Sequence, residues 1–212
     1  MFLATKNNFR LQIKINMLLY NCHLEFRWDM DIEELTKVIN NCTKCELCKT
    51  RRNCVVGDGN IQSKIMLVGE APGEQEDLQG KAFVGRSGRL LNKMLESINL
   101  DRTKLYICNI LKCRPPKNRS PKPKEERARM DYLRDQFLIM RPKIILLLGS
   151  VACKAILSPD FSIMRQHGHI IEKKGVFFVP TFHPSALLRD PSKKQLAWND
   201  LQVLKNLIDE KL

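Results

Sequence analysis

Three polar side chains of this 212-residue chain follow directly on short apolar runs. Glu70 stands behind KIMLVG, Asn109 ends LYICN, and His183 follows VFFVPTF. A carboxylate, a carboxamide and an imidazole are residue types suited to activating a water, reading a polar edge and stabilising developing negative charge. Each also has a plain structural use. Glu70 between glycines can cap the following helix, Asn109 can be a satisfied strand-end amide, and His183 before proline can hold a turn. A second set is Cys42-x-x-Cys45-x-x-Cys48 with Cys113 further on, which has the spacing of thiolate metal ligands.

What brings the first set together is the order of the elements. Lys64–Val68, Leu105–Asn109, Lys143–Leu148 and Val176–Pro180 are short, β-branched-rich apolar runs and read as buried strands. Helices are expected between them. Leu90, Leu91, Met94, Leu95 and Ile98 make one stripe over Ser87–Ile98, Glu125–Met140 is a second helix, and Val151–Leu157 a short third. A last helix near Trp198–Leu212 turns Leu201, Leu204, Leu207, Ile208 and Leu212 inward. Alternating strands and helices predict an α/β fold of three layers, a mainly parallel four-stranded sheet flanked by helices. Ligands of such sheets bind beyond the C-terminal strand ends, the rim where Glu70, Asn109 and His183 fall.

Composition narrows the partners. Lys and Arg number 36 against 23 Asp and Glu, a formal charge of +13, which favours a polyanion and nucleic acid before a membrane surface. Residues 112–129 carry eight of those cations against two Glu, and four prolines predict an extended loop suited to phosphate contacts. No apolar run approaches the ~20 residues of a membrane span, and charges interrupt the apolar stretches of the N-terminus, so a cytoplasmic chain is expected. Eight cysteines in that compartment do not read as a disulfide scaffold. Residues 1–29 lack a helical or strand period and read as an N-terminal extension, disordered or preceding a natural start at Met30; residues 30–212 form the domain. Ile32, Leu35, Val38 and Ile39 then mark an opening helix.

GEAPGEQED at 69–77, GKAFVGRSGRLL at 80–91, NILKCRPPKNR at 109–119 and FHPSALLR at 182–189 resemble, in matching order, the family 4 uracil-DNA glycosylases, iron–sulfur members of the uracil-DNA glycosylase superfamily. The resemblance runs from about Asn41 to the C-terminus. It implies hydrolysis of the N-glycosidic bond of uracil in single- or double-stranded DNA, by a monomer. Glu70 would position or activate the attacking water, and His183 would stabilise charge on the uracil O2. Phe83 would stack on the extruded base and Asn109 would read its edge, in a pocket that also includes Gly69, Ala71 and Gly73. Glu76 would disfavour the thymine methyl. Arg86, Ser185 and Arg189 would meet DNA, and Leu187 or Leu188 would fill the vacated stack.

The resemblance also implies a [4Fe–4S] cluster on Cys42, Cys45, Cys113 and a fourth cysteine, with zinc the alternative occupant. The fourth family position is Arg129 here, and arginine does not ligate iron in its charged form. Three outcomes are then open: a cluster completed by Cys48 or, second to it, Cys54; a labile three-cysteine cluster; or no cluster. That departure keeps a second function in view, a catalytically inactive metal-cluster protein that binds nucleic acid.

Overall fold

The computed structural model describes residues 30–212; the expectation for residues 1–29 falls outside the described residues. Helix α1 (Ile32–Asn40) opens at Asp31, whose carboxylate accepts from the amides of Glu33 and Glu34 at 2.9 and 2.8 Å. Leu35 and Ile39 are its buried residues, while Val38 is exposed. Strands β1 (Asp58–Gly59) and β2 (Ile65–Gly69), helices α2 (Glu74–Gln79) and α3 (Arg86–Glu96) and strand β3 (Tyr106–Asn109) follow. Then come α4 (Pro123–Met140), β4 (Ile144–Leu148), α5 (Ser150–Ile156) and α6 (Ile163–Gln166). The chain ends with β5 (Ile171–Lys173), β6 (Val176–Thr181), α7 (Pro184–Arg189) and α8 (Lys194–Lys211).

The sheet runs β1-β3-β2-β4-β6-β5. Its four central strands are parallel and are the four anticipated. The sheet itself is six-stranded, because β1 and β5 add antiparallel edges. Those edges are two and three residues long and partly exposed, so they carry no apolar run. The central strands are buried on both faces and their alternation divides two cores. Ile65, Leu67, Ile107, Leu146 and Val179 pack with α3, α7 and α8. Met66, Val68, Cys108, Leu147 and Phe178 pack with α4 and α5. Each fully buried aliphatic side chain contributes about 1.5–3 kcal/mol.

The basic stretch departs from the extended loop expected of it. Only residues 112–122 are loop, with a short 3-10 turn at Pro116–Asn118, because Pro123 sits at the first turn of α4 and begins the helix. Lys112 and Arg129 are fully buried, Arg119 is paired with Glu125 and half-buried Arg114 with Glu74, which leaves Lys117, Lys122, Lys124 and Arg127 as the exposed cations. No helix among the described residues is long and apolar enough to cross a membrane.

Candidate active site

The parallel strands deliver their C-terminal ends to one rim, which bounds a cavity of about 510 Å³ lined by Glu70, Phe83, Asn109, Gly149, His183 and Arg189 among others. Register places Gly69 of β2 beside Asn109 of β3. Gly69 has to lack a side chain: a Cβ there would collide with Asn109 Oδ1 and lie 2.7 Å from Phe83 Cζ. The glycine is thus the floor over which the amide and the ring meet.

Asn109 is 1% exposed, and its Oδ1 has no hydrogen-bond partner. Buried acceptors are almost always satisfied, so an orphan at a cavity wall marks a place for a donor from outside the protein. Behind it, the ammonium of fully buried Lys112 donates to the Asn109 carbonyl at 2.7 Å and to Gln136 Oε1 at 2.6 Å. Gln136 in turn donates to the Val56 carbonyl and the Tyr106 hydroxyl. Burial pushes the Lys112 ammonium below its ordinary range.

Phe83 has a left-handed backbone, φ 52°, which is uncommon for an aromatic residue and is held from both sides. Arg102 donates to the carbonyls of Ala82 and Phe83, to Asn92 Oδ1 and to Asp58 Oδ2. Glu76 Oε1 accepts from the amides of Val84 and Gly85 at 2.8 and 2.7 Å, which caps α3 where Gly85 offers no side chain. Glu76 lines the cavity, yet this oxygen is committed to holding the Phe83 loop. Neighbouring Asp77 faces away and accepts from the amides of Arg52 and Asn53, tying α2 to the cysteine segment.

His183 caps α7. Its Nδ1 accepts from the Ser185 amide at 3.1 Å and lies 2.8 Å from Ser185 Oγ. An amide only donates, so this arrangement places the ring proton on Nε2. Burial, with the Arg189 cation adding to it, holds the imidazole down to about 4, hence neutral near pH 7. Its ring centroid is 5.7 Å from that of Phe83, and Gly149 (φ 91°) lets the His183 Cβ approach within a distance no side chain would tolerate. Two residues before His183, the end of β6 is fixed by buried Asp200 of α8, which accepts from Thr181 Oγ1 at 2.7 Å. Asp200 also lies 2.8 Å from His167 Nδ1. Glu70 reaches the same cavity; burial pushes its carboxyl above the usual range, Glu126 adds to this, and Arg189 opposes it.

The cavity therefore gathers Gly69, Glu70, Ala71, Gly73, Glu76, Phe83, Asn109, His183, Ser185 and Arg189 along one rim or beside it. Arg86 is exposed at the start of α3. Leu187 is a correction: it is 1% exposed and belongs to the core beneath α7, because a helix rather than a loop carries PSALLR. The exposed leucine is Leu188, at 39%. Arg102, Lys112, Gln136 and Asp200 are supports that sequence reasoning missed, since a polar letter does not announce burial.

The cysteines gather elsewhere. Arg129 Nη2 lies 3.4 Å from Cys45 Sγ and 3.3 Å from Cys113 Sγ, and Arg51 Nη1 lies 3.4 Å from Cys113 Sγ. Cys54 Sγ is 3.8 Å from Cys113 Sγ, and the Cys48 amide donates to the Cys45 carbonyl at 3.1 Å. The Cys54 hydrogen bond, then Arg129 and Arg51, hold the Cys113 thiol below the usual thiol range. This donor set does not fit a four-thiolate centre of iron or zinc. A fixed guanidinium stands among the sulfurs, and among the described residues no three Cys, His, Asp or Glu are grouped to hold a metal ion.

A family model described as the uracil DNA glycosylase superfamily matches residues 56–202. A Type-4 uracil-DNA glycosylase of Thermotoga maritima is 40% identical over 184 residues, covering 83% of this chain and 96% of the relative. One from Archaeoglobus fulgidus is 40% identical over 188 residues, covering 85% and 94%. A DNA polymerase of Bacillus phage SP01 is 30% identical over 156 residues, 73% of this chain but 17% of that protein.

Proposed function

Because this chain belongs to the uracil-DNA glycosylase superfamily, we propose that it hydrolyses the N-glycosidic bond of uracil in DNA, releasing the free base and leaving an abasic site for repair. The observation that carries the reading is the buried, unpartnered Asn109 Oδ1 beside Phe83, in the cavity that also receives His183 and Glu70. Uracil offers what this wall lacks, an N3–H donor between two carbonyl acceptors.

The reaction breaks a C–N bond through an oxocarbenium-like sugar, and the departing base carries negative charge. The target nucleotide is first rotated out of the stack, at a cost of about a few kcal/mol. Phe83 supplies a face for the extruded ring, and Asn109 Oδ1 accepts from N3–H. The neutral His183 donates Nε2–H toward O2, where charge grows as the bond lengthens. A preorganised donor of this kind is worth about 2.7–4 kcal/mol. Glu70 acts in its ionised form on the water that attacks the sugar. Arg86, Arg189 and the exposed cations of 117–127 are positioned for phosphates, and Leu188 is the apolar side chain available to fill the gap. The Type-4 relatives are named for uracil and DNA, which supports the same substrate here.

The test is excision from a labelled oligonucleotide carrying one uracil, in EDTA, followed by alkali. Strand cleavage at the uracil alone is the expected result. Binding of that oligonucleotide by folded protein without cleavage would replace this reading with the inactive binding protein.

A further inference from the structure

We propose that Arg129 closes the cysteine pocket in place of a metal centre, so that this chain joins its 40–54 segment to the 112–113 loop through arginine contacts. The inference stands apart from the excision reading, since it concerns what holds the pocket.

Arg129 is the largest fully buried side chain among the described residues. A guanidinium keeps its proton in proteins, and a buried cation needs partners. No carboxylate serves it. Its hydrogen bonds run from Nη2 to the sulfurs of Cys45 and Cys113, while Nε and Nη1 are buried without partners. The Tyr132 ring lies 5.9 Å from the guanidinium carbon. The group thus sits between two thiols that a metal ion would have to bridge, and its charge opposes any cation brought there.

A metal in such a pocket cross-links loops that have little core of their own. Here two arginines make the same links. Arg129 joins Cys45 to Cys113 from α4. Arg51 joins Cys113 to the end of α1, donating to the Cys42 carbonyl at 2.8 Å and the Asn40 carbonyl at 2.7 Å. The connections are complete without a fourth thiolate.

The experiment is metal analysis of the whole chain, purified without oxygen from cells supplied with iron and zinc, with Arg129→Cys beside the wild type. The wild type is expected to hold no stoichiometric iron, sulfide or zinc, and its melting temperature is expected to stay unchanged under a strong chelator. Arg129→Cys, which gives the pocket Cys42, Cys45, Cys113 and a fourth cysteine, is expected to take up metal stoichiometrically. Stoichiometric metal in the wild type, or a chelator-induced fall in its melting temperature, would overturn the proposal. So would a folded Arg129→Cys protein that stays metal-free. Should that variant not fold, the two wild-type measurements decide.

Discussion

The ammonium of Lys112 is bonded to the main-chain carbonyl of Asn109, the residue whose side chain faces the cavity from the other side of the same peptide. The amide is therefore braced from behind by a cation that never reaches solvent. Lys112→Met is expected to leave the Asn109 carbonyl and Gln136 Oε1 short of a donor and to cost about 1–3 kcal/mol of stability. Single-turnover excision should slow at saturating substrate, with DNA affinity little changed; a rate equal to wild type would mean that the brace does not set the amide.

Asn109→Ala has opposite effects on stability and on activity. The deleted Oδ1 has no partner in the protein, so the melting temperature should hold or rise. Excision should fall by a factor corresponding to about 2.7–4 kcal/mol, the scale of one lost active-site polar contact. Thermal melts and single-turnover rates on the same preparation check both signs.

The acid limb of activity should belong to Glu70. Its pKa is raised by burial, so catalysis should decline above the usual carboxylate range as pH falls, while His183 stays neutral down to about 4. Glu70→Gln should lower the rate and flatten that limb. Stability follows the other group. The folded pKa of His183 lies below its ordinary 6.5, so its contribution is present above 6.5 and is lost as pH falls toward about 4. Melting temperatures of His183→Gln against pH should lack that part of the slope.

Arg102→Ala removes the donors that hold Ala82, Phe83, Asn92 and Asp58 together. The left-handed Phe83 should relax, and uracil recognition should weaken by up to about 1–3 kcal/mol, the value of one base–aromatic stack. The loss should appear in KM for uracil-containing DNA and be absent from the affinity for uracil-free DNA.

The two leucines of α7 should separate cleanly. Leu187→Ala opens the core and should cost about 2–5 kcal/mol of stability. Leu188→Ala should melt like the wild type and slow excision from duplex more than from single strands, since only a duplex has a stack to refill. Equal excision from both substrates would remove Leu188 from that role.

The four central strands were legible because each is a buried run of apolar, β-branched residues long enough to stand out, and Glu70, Asn109 and His183 were legible because they follow three of those runs. The edge strands were not, since Asp58–Gly59 and Ile171–Lys173 carry too few residues to show a period. Helix α7 was hidden for the same reason, and with it the fact that Leu187 points inward. Phe83 came from resemblance alone; nothing in its spelling announces a left-handed backbone. Lys112 was misplaced because a cation in a basic stretch reads as solvated, and only packing reveals that it is enclosed; Arg129 was placed beside the cysteines by resemblance, while its spelling gave no sign of its burial.

The tight turn at Lys174–Gly175 joins β5 to β6 where β6 begins, so it lies at the end of the sheet opposite the cavity. Both residues are exposed; Gly175, at φ 76°, has to stay glycine, so the attachment point is the Lys174 side chain. That makes the turn a natural handle. A dye, an affinity peptide or a surface tether attached there would hang from the far side of the protein, leaving the working mouth free to meet a long polymer in a single-molecule or immobilised assay.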